Sequence, residues 1–307
     1  MKNPKGKEEL TMKHVWGRLL TSVALTMLCC GGAAAQTIVV GGKAFTEQQI
    51  MTAMTVALLK AKGFTPDRKA GMGSAAVRAA MENGQVDVYW EYTGTGLGVF
   101  NKITDKFASA EDAYKKIKEV DAAKGIVWLN MSAVNNTYGF AMNRDEAQKR
   151  GLVTMSDLAK AIKGGAKLTF ASNAEFYARP DGLPGWQAAY GFEFDRDNVK
   201  RMDTGLTYSA LKDRQVDLAV VFATDGRIPA FNFVVLKDDK NYAAPYNLTP
   251  VVRKEILDKN PKLADALNAV AAKLNDDNMA KLNASVDVDK KTPEEVAEAF
   301  LKANGLM

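Results

Sequence analysis

Residues 37–63 read TIVVGGKAFTEQQIMTAMTVALLKAKG, and this stretch predicts a strand, a glycine turn and a helix in that order. The first four residues are all β-branched, and Gly41 and Gly42 end the run. Thr46 is the predicted N-cap of the helix, because Gln49 follows three residues later and apolar residues then recur at helical spacing up to Leu58. A strand joined to a helix by a short turn indicates an α/β fold.

The same alternation of strand and helix signals continues along the chain. Further strands are predicted at residues 86–90, 138–142, 167–171, 216–222 and 231–236. Further helices are predicted through residues 77–81, over 155–162 with Ser156 as the cap, around 185–190 and from Thr207 onward. Two α/β units with a largely parallel sheet indicate two lobes, with the chain crossing from one to the other and back.

The tail of the chain from Val251 onward is predicted to be helical. Its last helix begins with a capping box and a proline in the first turn, Thr292-Pro-Glu-Glu295, and it stops at Gly305.

Residues 1–35 are predicted to be a secretory signal peptide, which is not part of the fold. The basic residues Lys13 and Arg18 precede an apolar run over 19–30, and small residues up to Ala35 complete the cleavage pattern. The run is too short to span a bilayer, which needs about 20 apolar residues. Cys29 and Cys30 leave processing as a lipoprotein open, although the residues before them lack the small side chain that it prefers. We expect a periplasmic protein.

Cleavage after Ala35 would also remove both cysteines and the single histidine, His14. The remaining chain would have no thiol nucleophile, no imidazole base and no His/Cys metal site, so we expect neither a metal nor a cofactor. The removed segment carries five basic and two acidic residues, so the formal charge falls from +5 to +2. So mild a charge argues against nucleic acid as a partner.

Ligands of open α/β sheets bind beyond the carboxyl ends of the strands, which directs attention to the turns there. Lys43 lies between a strand end and a helix start, where it forms either a carboxylate-binding corner or a solvated surface lysine. Arg179 lies in a turn-rich segment and can hold a carboxylate with two parallel hydrogen bonds, although an exposed structural arginine is the commoner outcome. In the turn over 91–96, two glycines would let the backbone approach a ligand closely.

Aromatic residues occur at several strand ends, at Tyr92, Tyr138, Phe222 and Tyr246. Singly, each is most often core or rim packing. If they converged on one cleft, their ring faces would form a box that binds a quaternary ammonium group by cation–π attraction. Spacing along the chain does not decide between these interpretations.

Several blocks spread over most of the chain after residue 35 resemble the glycine betaine/choline/carnitine-binding proteins of osmoprotectant ABC importers. These blocks are Gly41-Gly-Lys-Ala-Phe-Thr-Glu-Gln48, Glu91-Tyr-Thr-Gly-Thr95, Asn135-Asn-Thr-Tyr138, Gly205-Leu-Thr-Tyr208, Thr224-Asp-Gly-Arg-Ile228, Leu236-Lys-Asp-Asp239 and Ala244-Pro-Tyr-Asn247. The resemblance implies a two-lobed periplasmic-binding-protein fold of the second topological type, with the ligand cleft between the lobes. Lobe I would comprise residues 36–139 plus 242–307, and lobe II residues 140–241.

The resemblance also implies a ligand site with two ends. At the anionic end, Lys43, Thr95 and Arg179 would neutralise a carboxylate. At the cationic end, an aromatic cage would surround a trimethylammonium group, with the Asn136 carbonyl also facing the ligand. The cage residues would be Tyr92, Tyr138, Phe222 and Tyr246. Phe222 stands where the family commonly has tyrosine, so the ring is kept and a phenol oxygen is lost.

The function that the resemblance implies is capture of a glycine betaine-type zwitterion for the permease subunits of an inner-membrane ABC importer, by a monomer that is not an enzyme. Choline, carnitine, proline betaine and ergothioneine are alternative ligands. Because choline has no carboxylate, Lys43 and Arg179 favour a zwitterion. A periplasmic sensor, and a carboxylate-based hydrolase that uses Asp87, Glu91 or Glu175, are the alternatives from other classes.

Overall fold

The computed structural model describes residues 37–307, so the predicted signal peptide, its cleavage site and the cysteines lie outside the described residues. The chain begins with the strand, turn and helix that the opening stretch predicts. Its first section contains β1 (Thr37–Lys43), α1 (Thr46–Ala61), β2 (Thr65–Met72), α2 (Ser74–Glu82), β3 (Val88–Tyr92), a π-helical turn (Thr95–Phe100), α3 (Ala110–Ala122) and β4 (Ile126–Trp128).

The second section of the chain forms another α/β unit. It contains β5 (Tyr138–Asn143), α4 (Arg144–Arg150), α5 (Met155–Lys163), β6 (Phe170–Ser172), α6 (Ala174–Ala178), α7 (Leu183–Tyr190), a 3₁₀ turn (Arg196–Asn198), β7 (Val199–Arg201), α8 (Thr204–Lys212), β8 (Leu218–Phe222), α9 (Arg227–Ala230) and β9 (Phe233–Val235). The chain then returns with β10 (Leu248–Arg253), α10 (Lys254–Lys259), α11 (Lys262–Ala271), α12 (Asp276–Asp287) and α13 (Pro293–Ala303).

These strands form two five-stranded sheets, one in each lobe. The first has the order β2-β1-β3-β10-β4 and the second the order β7-β6-β8-β5-β9. The pairs β1–β2, β1–β3, β6–β7 and β6–β8 are parallel, whereas β10 and β5 run antiparallel to both of their neighbours. The two antiparallel strands are the first strands after each crossing between the lobes. The prediction of a largely parallel sheet is therefore wrong for half of the pairings.

One predicted element is wrong, and the strand β2 was not predicted. Residues 248–253 form the strand β10, buried at five of its six positions, where the sequence predicted helix from Val251 onward. Residues 65–72 form the strand β2, which was not predicted because this exposed, charge-rich edge strand lacks an apolar alternation.

The capping predictions were right for one helix and wrong for two. Thr292 and Glu295 form the predicted reciprocal capping box of α13. At α1 the N-cap is Phe45, with extended backbone, and the Thr46 hydroxyl instead donates to Asp287 Oδ1 at 2.8 Å. At α5 the cap is Thr154, one residue before the helix, and not Ser156.

Each lobe has its own apolar core. In lobe I, buried residues of α1 such as Ile50, Met54 and Leu58 belong to the cluster that contains Val40 and Trp90 of the sheet. The core of lobe II is packed with aromatic rings, which are those of Phe140, Phe170, Phe176, Trp186 and Phe194. Burying one such large apolar side chain stabilises the fold by about 1.5–3 kcal/mol, so each lobe has a substantial core of its own.

Two connections join the lobes and lie side by side. The Asn136 N–H donates to the Tyr246 carbonyl at 3.0 Å, and the Leu248 N–H donates to the Val134 carbonyl at 3.0 Å. We keep residues 36–139 plus 242–307 and 140–241 as the proposed limits of the lobes, and note that β5 of the second sheet begins at Tyr138, two residues before the proposed boundary. Over residues 37–307, none of the helices combines the length and the apolar character that a membrane span requires.

Candidate functional site

A cleft of about 470 Å³ lies between the two sheets, and all eight site residues predicted from the sequence line it. They are Lys43, Tyr92, Thr95, Asn136, Tyr138, Arg179, Phe222 and Tyr246. Lys43 and Tyr92 end strands of the first sheet, whereas Tyr138 and Phe222 are at the ends of strands in the second. The aromatic residues from the strand ends therefore do converge on one cleft, which their spacing along the chain left undecided.

Sheet pairing brings the cage rings together. Tyr138 and Phe222 lie opposite each other in neighbouring strands, with ring centroids 5.1 Å apart. Tyr246 meets Tyr138 edge to face at 5.9 Å. Burial raises the pKa of Tyr92, Tyr138 and Tyr246, so their hydroxyls stay protonated at neutral pH.

A fifth ring, Phe45, belongs to the same group and was missed. It lies in the turn between β1 and α1, stacks on Phe222 at 4.9 Å across the cleft, and lies 6.2 Å from Tyr92. The sequence could have indicated Phe45, because it lies two residues after Lys43 in a turn that was already a candidate.

The glycines of the turn over 91–96 serve ring packing, not ligand approach. A Cβ on Gly94 would lie 2.8 Å from the Tyr246 ring, and one on Gly96 would lie 2.7 Å from Trp128. Neither glycine is among the described residues that line the cleft. Gly94 therefore allows Tyr246 to take its place in the cage.

Lys43 is buried, with 2% of its surface exposed, so the interpretation as a solvated surface lysine is wrong. Its Nζ lies 2.5 Å from Glu91 Oε1 and 5.1 Å from the centre of the Tyr92 ring. Glu91 is fully buried and also accepts from the Tyr89 hydroxyl at 3.0 Å and from the Tyr92 N–H at 2.7 Å. The charge of Lys43 is thus already balanced within lobe I.

Arg179 is also buried, at 6% exposed, and is not the exposed structural arginine of the commoner interpretation. Nε and Nη2 donate to the two carboxylate oxygens of Asp181 at 2.6 and 2.7 Å. Nη2 also donates to the Tyr246 hydroxyl at 2.9 Å, and Nη1 donates to the Tyr138 hydroxyl at 3.3 Å and to Glu175 Oε1 at 3.2 Å. A guanidinium has five N–H groups, so internal partners use all of them.

This arrangement makes Arg179 a support for the cage. The guanidinium lies 5.3 Å from the Tyr138 ring centre and 5.6 Å from that of Tyr246, while bonding both hydroxyls. A ligand carboxylate can reach Arg179 only by replacing an internal acceptor.

The last two predicted residues are buried at the cleft wall. Thr95, 2% exposed, begins the π-helical turn. The Asn136 side chain is turned into the protein, where Nδ2 donates to Glu47 Oε1 at 3.1 Å and Oδ1 accepts from the Thr224 N–H at 3.3 Å. That the Asn136 carbonyl faces a ligand stays a prediction.

The acids suggested for a hydrolase do not share one pocket. Asp87 is paired with Arg253 at 2.9 Å and Glu91 with Lys43, and only Glu175 of the three lines the cleft. Among residues 37–307, no group of three or more His, Cys, Asp or Glu is placed to hold a metal ion.

Comparison with known proteins gives consistent matches over nearly the whole chain. A family model described as the substrate binding domain of an ABC-type glycine betaine transport system matches residues 36–303. A glycine-betaine-binding protein of Pseudomonas aeruginosa is 42% identical, over 94% of this chain and 96% of that protein. The glycine betaine-binding protein YehZ of Escherichia coli is 32% identical, over 96% and 99%. A solved structure described as a glycine betaine/carnitine/choline ABC transporter has a TM-score of 0.71 at 30% identity, covering 88% of this chain and 99% of that one.

Proposed function

The chain belongs to the family of substrate-binding domains of ABC-type glycine betaine transport systems, and on that premise we propose that it captures a quaternary-ammonium osmolyte of the glycine betaine type. The family consists of transport proteins and not of enzymes. Substrate-binding proteins of ABC importers act outside the cytoplasm and pass a small ligand to a permease. We further propose that this chain is a periplasmic monomer, exported by cleavage after Ala35.

The observation that carries this proposal is the convergence of aromatic rings from both lobes on one cleft. Phe45, Tyr92, Tyr138, Phe222 and Tyr246 all line it, with neighbouring centroids 4.9–6.2 Å apart. A trimethylammonium group has no N–H to donate, so ring faces are its natural partners. Each desolvated ring contributes up to about 2 kcal/mol to binding such a cation.

For the anionic end we propose that a ligand carboxylate reaches Arg179 by displacing Glu175. The bond from Nη1 to Glu175 is longer, at 3.2 Å, than the two to Asp181, at 2.6 and 2.7 Å. The Glu175 side chain is also 38% exposed and lines the cleft, so it can turn into solvent. Lys43 and Thr95 would complete the carboxylate end, as the resemblance implies.

Calorimetry of the full chain with a panel of osmolytes tests the proposal. Glycine betaine, proline betaine, carnitine, choline and ergothioneine form the panel, and dimethylglycine is the control that exchanges one methyl group for an N–H. We expect a betaine to bind and dimethylglycine to bind more weakly, because the ring faces give the N–H no acceptor. Absence of binding to every quaternary amine would refute the proposed function.

A further inference from the structure

Glu47 is a buried carboxylate outside the cage. It lies in the first turn of α1 and is 2% exposed. Burial raises its pKa, against the effect of the hydrogen bonds that it accepts. Four side chains donate those hydrogen bonds, so the site is built around a charged acceptor.

The four donors divide evenly between its two oxygens. Oε1 accepts from the Tyr92 hydroxyl at 2.7 Å and from Asn136 Nδ2 at 3.1 Å. Oε2 accepts from the Thr224 hydroxyl at 2.6 Å and from Asn283 Nδ2 at 3.4 Å. The same Asn283 amide donates to the Thr224 carbonyl at 3.0 Å, so it holds Thr224 through both groups.

These donors come from both lobes and from the connection between them. Tyr92 ends β3 of lobe I and supplies a cage ring, and Asn136 lies in the connection between the lobes. Asn283 is on α12, which packs with the lobe I core through Met279. Thr224 follows β8 of lobe II, two residues after the cage residue Phe222.

From this geometry we infer that Glu47 is a positioning residue, which orients the Tyr92 ring and Asn136 for the ligand and fastens lobe II to lobe I through Thr224. The role of Glu47 toward the ligand rests on the proposed function, whereas its role in holding the two lobes together does not. Opening the cleft moves Thr224 away with lobe II, and the buried carboxylate then loses a charge-assisted hydrogen bond. Closure and an ordered cage are therefore linked through one side chain.

A second contact across the lobes at the same place supports this role. Arg227 at the start of α9 lies 3.3 Å from Asp287 at the end of α12, and the Thr46 hydroxyl beside Glu47 donates to the same Asp287 at 2.8 Å. The start of α1, the end of α12 and the turn after β8 thus form one polar junction between the lobes.

The substitution Thr224→Val tests the inference, because it removes the lobe II donor and keeps the side-chain shape. Thr224 is 1% exposed and is not among the described residues that line the cleft. Thr207→Val is the matched control. Thr207 is fully buried in the same lobe, and its hydroxyl donates only within that lobe, to the Thr204 carbonyl at 2.8 Å and the Val220 carbonyl at 3.2 Å.

Two measurements on the full chain decide the outcome. With glycine betaine as the probe, calorimetry should show that Thr224→Val weakens binding about tenfold, as loss of a hydrogen bond to a charged group does, whereas Thr207→Val stays close to wild type. Without ligand, small-angle scattering should show a larger radius of gyration for Thr224→Val than for Thr207→Val. If both variants match in both measurements, the inference is wrong. If wild type binds no osmolyte, the proposed function fails, and scattering alone decides the role of Glu47.

Discussion

Replacing Glu175 by glutamine should tighten the binding of a zwitterion and not that of choline. Glu175 is the exposed partner of Arg179 and the proposed competitor of a ligand carboxylate. Glutamine keeps the shape of the side chain and removes its charge, so the incoming carboxylate no longer has an anion to displace. Choline has no carboxylate, and the variant removes a negative charge that attracts it, so choline should bind no more tightly.

The size of the gain follows from the exposure of the pair. The two side chains are 5% and 38% exposed, so solvent screens the interaction and a Coulomb energy for a buried pair does not apply. Ion pairs of this kind contribute about 0.2–1 kcal/mol. Relief of that competition corresponds to about a 1.4-fold to fivefold lower Kd for the zwitterion.

The chain offers a matched control in Arg78 and Glu82. Arg78 is likewise buried, is held by both oxygens of Asp121 at 2.6 and 2.8 Å, and pairs with an exposed acid four residues away at 2.7 Å. Glu82 is not among the described residues that line the cleft. Glu82→Gln should therefore leave both affinities unchanged.

Isothermal titration of wild type, Glu175→Gln and Glu82→Gln with glycine betaine and choline is the assay. The reasoning fails if Glu175→Gln leaves the Kd of glycine betaine unaltered, or if it tightens both ligands equally. Either result would mean that no ligand carboxylate competes at Arg179, and that Arg179 serves only to hold the cage tyrosines.

Four further outcomes are expected. Tyr138→Phe should change affinity little, because the Tyr138 hydroxyl only accepts one 3.3 Å hydrogen bond. Tyr138→Ala should weaken the binding of quaternary amines by tenfold or more, about 1.4 kcal/mol per decade, because the ring face is lost. If Tyr138→Ala lowers the melting temperature of the ligand-free protein without weakening binding, the ring serves only packing. Small-angle scattering of wild type should show a smaller radius of gyration with bound ligand, and an unchanged radius at saturation would count against closure unless the ligand-free form is already closed. Burial alone would raise the pKa of Asp121, but Arg78 holds that pKa below its usual range, so the ionised carboxyl stabilises the fold at neutral pH and this contribution is lost as the pH falls through the lowered pKa. The free energies of urea unfolding of wild type and Asp121→Asn, measured from neutral to acid pH, should therefore converge in acid. A constant difference between the two proteins over this pH range would contradict the prediction. Intact mass of the periplasmic protein should correspond to a chain that starts at Gln36, and retention of residues 1–35 or lipid on Cys29 or Cys30 would contradict the proposed export.

Elements built from neighbouring residues were predicted best, although two of the three predicted helix caps were wrong. The Thr292–Glu295 box joins residues three apart, and the opening strand, turn and helix depend on neighbouring residues. Attention to strand ends and turns singled out most of the candidate residues, because ligands of α/β sheets bind at such ends. The family resemblance then combined them, with Asn136, into one site, and all eight line one cleft.

Contacts between distant residues were decided only by the tertiary structure. Lys43 meets Glu91, 48 residues away, and Arg179 meets Tyr246, 67 residues away, so the sequence alone left the state of both cations open. β10 pairs between β3 and β4 because the chain returns from lobe II, and no local pattern in residues 248–253 records that return. Residue types, strand ends and the family resemblance thus predicted which side chains reach the cleft. The tertiary structure decided three other features, which are the charge balance of Lys43 and Arg179, the stacking of Phe45 on Phe222 and the four hydrogen bonds to Glu47. These contacts join residues far apart in the sequence, so they exist only once the two lobes have folded and come together.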